Sequence, residues 1–199
     1  MAEIKAFNKW NVEGIQVQDP GLKDHLNINP RIVPRSSARF SKNKFHRGRT
    51  FVIERLMNKM MGPGHKAKKH KITSYPHTGK SLTAYRLTEE TLESIEKQTK
   101  QNPIKVFVEA IENAAPREEI ISIEYGGARY PKAVECSPQR RIDVAIRHMT
   151  QGAFGKSFNS KRKYVECLSE EIINAWQKSG ASHAISKKLE LERQADASR

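Results

Sequence analysis

Asn102-Pro103-Ile104-Lys105-Val106-Phe107-Val108-Glu109-Ala110-Ile111-Glu112-Asn113-Ala114-Ala115-Pro116 is the stretch whose reading decides the fold. Asn at a cap and Pro at the first helical position form a strong start signal, since neither residue sacrifices a hydrogen bond there. Ile104, Phe107, Ala110, Ile111 and Ala114 then recur at helical spacing until Pro116 stops the element. A stripe this regular is for packing. It predicts a helix that supplies the core of a mainly α chain.

Upstream of it, acids in a first turn and Thr88 as cap predict a helix over 89–100, with a narrow stripe of Leu92 and Ile95. Ile53, Leu56, Met57, Met60 and Met61 predict another over 51–61, stopped by Gly62-Pro63-Gly64, with Arg55 and Lys59 on a side that can meet phosphate. Between the two lies a basic loop, 62–81. Downstream, Ile121, Ile123 and Tyr125 alternate with polar residues, Gly126-Gly127 permits a turn, and 129–134 returns, which predicts a β-hairpin over about 120–135. Ser137-Pro138 opens a further helix ending near Gly152, with Ile142, Ala145, Ile146 and Met149 inward and Arg140, Arg141 and Arg147 outward. A stripe of Leu168, Ile172, Ala175 and Trp176 runs to Gly180, and a last, thinly apolar helix begins near Ala184. The reading is a bundle of about six helices, residues 46–199, with a protruding hairpin. Residues 1–45 have no sustained period and read as an irregular extension, basic in its second half, that orders on its partner.

Charge narrows the function. The chain of 199 residues has 36 Lys and Arg against 22 Asp and Glu, a formal charge of +14. Residues 31–86 hold 15 basic residues and 1 acidic, and residues 125–165 hold 9 and 2. Solubility alone would intersperse the signs, so this segregation predicts a polyanion partner, nucleic acid before membrane. Candidate contacts are Arg31, Arg35, Arg39, Lys42, Lys44, Arg47 and Arg49 in an arm; Arg55 and Lys59; Lys66, Lys68, Lys69 and Lys71 in the basic loop; Arg129, Tyr130 and Lys132 beside the hairpin tip; Arg140, Arg141 and Arg147; and Lys156, Lys161, Arg162 and Lys163. Tyr75, Tyr85 and Tyr125 add aromatic rings able to stack on unpaired bases.

Catalytic patterns fail one by one. Thr78-Gly79-Lys80-Ser81 ends like a P-loop, but Ser74 stands where its first Gly belongs and no apolar strand precedes it. His65, His70 and His77 match no zinc spacing, and no nucleophile elbow occurs, so neither metal, cofactor nor enzyme activity is expected. Cys136 and Cys167 read as reduced packing residues. No apolar run of membrane-spanning length and no signal peptide is found, which predicts a cytoplasmic protein. Composition alone leaves two competitors: a DNA-architectural protein and an RNA-processing enzyme using the loop histidines.

Ordered motifs decide between them. Asn58-Lys59-Met60-Met61-Gly62, Asn102-Pro103 through Asn113, Pro116-Arg117-Glu118-Glu119, Tyr125-Gly126-Gly127-Ala128, Ser137-Pro138-Gln139-Arg140-Arg141, Asn174-Ala175 and Lys187-Lys188 resemble, in this order, the ribosomal protein S seven family in its archaeal and eukaryotic branch. The likeness runs from about Phe45 to Arg199. It implies a structural constituent of the small ribosomal subunit that binds the 3′ major domain of its rRNA and nucleates assembly of the head. It further implies a place near the tRNA exit site and mRNA exit path. The implied partners are rRNA, neighbouring ribosomal proteins, exit-site tRNA and mRNA, with no membrane and no second copy of the chain.

Overall fold

A computed structural model describes residues 4–40, 42, 43, 45–66, 69, 70 and 73–199, with the backbone alone considered at 65, 66, 69 and 70. Its helices are α1 (Pro20–Lys23), α2 (Val52–Met60), α3 (Ser81–Thr99), α4 (Pro103–Ala114), α5 (Pro138–Ser157), α6 (Tyr164–Trp176) and α7 (His183–Asp196). Two short strands, β1 (His65–Lys66) and β2 (Lys69–His70), pair within the basic loop, and β3 (Glu118–Tyr125) pairs antiparallel with β4 (Ala128–Glu135). The mainly α bundle with a hairpin is therefore observed, with α2 to α7 as its six longer helices.

The quoted stretch forms α4 as its signals require. Asn102 caps it by accepting from the Ile104 N–H at 3.0 Å, and Ile104, Phe107, Ala110 and Ile111 have no exposed surface. Around α4 the bundle closes through Leu92 and Ile95 of α3, Ile142 and Ile146 of α5, and Leu168 and Ile172 of α6, all fully or almost fully buried.

Two helix boundaries depart from the sequence reading. Thr88 is not a cap: α3 begins at Ser81, and Thr88 sits inside it, fully buried, its hydroxyl donating to the Ala84 carbonyl at 2.8 Å. A Thr can satisfy its hydroxyl on the preceding turn as well as at a cap, and composition does not distinguish the two. Gly152 does not end α5, which runs on to Ser157. A Cβ there would lie 2.7 Å from the His183 Cβ, so this glycine lets α7 approach α5 closely.

The amino-terminal segment departs further. Ala6, Phe7, Trp10, Leu22 and Leu26 are buried in the shared core rather than left for a partner to order. Trp10 Nε1 donates to Glu96 of α3 at 2.9 Å, and Phe7 stacks against Tyr85 at 4.9 Å between ring centroids. The Gln18 N–H reaches Glu112 of α4 at 2.7 Å. The strap so formed delivers the basic arm, 31–49, to the mouth of α2.

Candidate nucleic-acid interface

Asp143 organises the first cluster of cations. Its two carboxylate oxygens accept from Arg47 at 2.8 Å and from Arg55 at 3.0 Å, bringing together the arm, α2 and α5. Arg55 is buried and also donates to the His25 carbonyl at 3.2 Å, so its guanidinium is engaged within the fold. Desolvation of so enclosed an ion is tolerable only because both partners are present.

Lys59 and Arg147 complete the cluster without an acid of their own among the described residues. Burial of Lys59, with Arg147 and Arg47 nearby, pushes its ammonium below the usual lysine range, while Asp143 opposes the shift. Arg47 and Arg55 share Asp143, Lys59 lies within reach of its charge, and Arg147 adds a further positive charge beside Lys59. Such unneutralised like charge has a cost in the isolated protein that a polyanion removes.

Arg140 and Arg141, adjacent in sequence, part company. Arg141 is buried, donating to the Pro116 carbonyl at 3.1 Å and to Asp19 at 2.7 Å. It ties α5 to the amino-terminal strap. Arg140 is exposed and paired with Glu119 at the hairpin base. The helical period explains the split: α5 spends three or four of every seven positions on the core, and the arginine run crosses that boundary.

The remaining candidates fall into three groups. Arg35 donates to Ser81 Oγ at 2.8 Å, and Arg31 lies 5.8 Å over the Phe40 ring, while Arg39, Lys42 and Arg49 are exposed on the arm. Lys161 and Lys163 are exposed after α5, Arg162 pairs with Glu170, and Lys156 is committed to the fully buried Glu171 at 3.0 Å. At the hairpin, Lys132 and Tyr130 are exposed and Arg129 lies 3.7 Å from Glu124. Lys44, Lys68 and Lys71 lie outside the described residues, and Lys66 and Lys69 are described by backbone only.

The rings divide similarly. Tyr75 and Tyr125 are strongly exposed, with Lys80 5.3 Å over Tyr75, whereas Tyr85 is spent on Phe7. His77 packs edge-on against Phe154 at 5.4 Å, and burial with Lys80 nearby lowers its pKa. Among the described residues no group of three His, Cys, Asp or Glu could hold a metal ion, and no helix is long and apolar enough to cross a membrane.

Sequence reasoning missed Asp143 and the strap. Asp143 is one acid in a basic stretch, and its role needs the meeting of three elements. Phe7 with Trp10 and Leu22 with Leu26 carried a helical-spacing signal too short to register between Pro and Gly.

The fold and the cation cluster together define a basic helical protein built to present charge from a rigid core. The family model for "Ribosomal protein S7p/S5e" matches residues 22–199. Over 197 residues the chain is 53% identical to the "Small ribosomal subunit protein uS7" of Nanoarchaeum equitans, covering 99% of this chain and 100% of that one. It is 41% identical to the protein of the same name from Archaeoglobus fulgidus, covering 99% and 96%, and 41% identical to that of Methanothrix thermoacetophila, covering 98% and 100%. The chain belongs to the ribosomal protein S7p/S5e family and is a structural, non-catalytic constituent of the small ribosomal subunit. The match begins at Leu22, upstream of where the motifs alone carried the resemblance.

Proposed function

We propose that this chain binds the 3′ major domain of small-subunit rRNA, nucleates assembly of the subunit head, and lies beside the tRNA exit site and the mRNA exit path. The carrying observation is that Arg47, Lys59 and Arg147 come together from three elements, with Arg47 sharing Asp143 with Arg55 and Arg147 beside Lys59. Phosphates crowded at an RNA junction repel one another, and cations held at fixed spacing neutralise them while setting the geometry. A rigid body suits nucleation, because the RNA and not the protein then bears the cost of ordering.

Binding of the full chain to a 3′ major domain transcript, measured across salt, tests the reading. Lys59→Ala and Arg147→Ala should each lower the log–log salt slope by about 1 unit or slightly less, with the melting temperature retained. An unchanged slope in both variants, or equal affinity for a transcript of another rRNA domain, would sink it.

A further inference from the structure

Between the arm and α2–α3 lies a groove of about 860 Å³, within the range of small-ligand sites. Its walls include Met57 of α2, Met61 just past the end of that helix, Tyr85 of α3 and Phe40 of the arm, and Arg35, Arg47 and Lys59 also line it. Val33, Phe45 and Leu82 line it as well, each more than half exposed. Large apolar side chains left in water beside arginines suit a flat, apolar ring attached to an anion.

Glu54 gives the groove a second kind of selectivity. It lines the groove yet is only 4% exposed. Its Oε1 accepts from the Ser36 N–H at 2.8 Å and from the Ser36 hydroxyl, while its Oε2 is buried with no hydrogen-bond partner among the described residues. A buried oxygen of this kind is costly unless a donor reaches it. Phosphate cannot be that donor. An exocyclic amino group of a nucleobase can.

We propose that this groove takes one unpaired RNA base bearing an exocyclic amino group, its ring against Phe40 and the methionines, its amino group donating to Glu54 Oε2, and its phosphates at Arg35, Arg47 and Lys59. This rests on the rRNA-binding reading above and deepens it. Duplex RNA is excluded, because its bases are stacked and their pairing edges occupied. A peptide fits less well: an acidic one meets Glu54, and an apolar one has no use for three cations. Oε2 is shielded from solvent, so this contact requires the segment that Ser36 anchors on Glu54 to shift.

The test uses the full chain and an RNA pentanucleotide carrying 2-aminopurine at its centre. The fluorescence of the base should be quenched on binding. Phe40→Ala, which removes a stacking wall and no charge, should weaken pentamer binding roughly tenfold. Asn58→Leu, which narrows the groove from an exposed position on α2, should also weaken it. Both variants should keep the salt slope of the 3′ major domain transcript. In assembled subunits, a photo-crosslinking side chain at position 58 should join to RNA. If the transcript binds normally while the pentamer is neither bound nor quenched, or both variants bind it as before, the groove proposal fails alone. A crosslink to a polypeptide also overturns it. Loss of transcript binding by the unaltered chain would overturn the underlying reading instead.

Discussion

The helical body and the hairpin use the same apolar residue types to opposite ends. In α4, Ile104, Phe107 and Ile111 are fully buried, whereas Ile121, Ile123, Tyr125 and Tyr130 stand 41–81% exposed on the hairpin. Register places Ile123 opposite Tyr130 and Ile121 opposite Lys132, on one face of the ribbon with no layer over it among the described residues. The body is therefore held by burial. The hairpin is held by its own ladder, by Gly126 and Gly127 at positive φ, and by anchors at its base: the Arg117 N–H to Glu192 of α7 at 3.0 Å, and Cys136 N–H to Arg117 at 2.9 Å. The difference shows that apolar character alone does not place a residue in a core. The elements around it must leave a surface to cover.

The comparison is broken most directly in α4. Phe107→Ala should cost about 3–5 kcal/mol, since it opens a cavity where the neighbouring helices cannot collapse. Denaturant unfolding of the variant measures this, and a change near zero would mean that the body is not held as described.

A smaller effect sharpens the boundary between body and surface. Arg141→Ala removes the donor to Asp19 Oδ2 and to the Pro116 carbonyl and should destabilise by about 1–3 kcal/mol, discounted because Asp19 is partly exposed and keeps the Gly21 N–H. Arg140→Ala removes only an exposed pair with Glu119 and should shift stability by about 0–1 kcal/mol. Equal costs for the two neighbours would erase the distinction drawn between them.

The smallest effect on stability is expected at the hairpin tip. Replacing residues 126–131, all exposed, with a short neutral turn should leave the melting temperature of the chain within about 2 °C. If the tip lies beside the exit site as proposed, ribosomes carrying the shortened hairpin should assemble and then lose fidelity in reading-frame maintenance. A collapsed melting temperature would make the ribbon part of the core. Normal stability with unchanged frame maintenance would leave the tip without that role.

By itself the sequence determined the class of fold, the existence of six substantial helices and the hairpin, and the basic character of the partner-facing segments. Those properties are local: a 3.6-residue stripe, an Asn-Pro start, a Gly-Gly turn and a run of Lys and Arg are each legible within about ten residues. Ordered motifs added the family. Only the tertiary structure decided which cations are available. Arg55 and Arg141 carry the same group as Arg47 and Arg140, yet burial beside Asp143 and Asp19 turns the first two into parts of the scaffold. The tertiary structure also decided that Gly152 is a contact rather than a stop, that Thr88 lies inside a helix, and that Phe7 and Trp10 belong to the core. Except for Thr88, whose hydroxyl turns back to Ala84 within its own helix, each of these depends on residues distant in the sequence, and a one-dimensional pattern does not contain the partner that desolvates or neutralises a side chain.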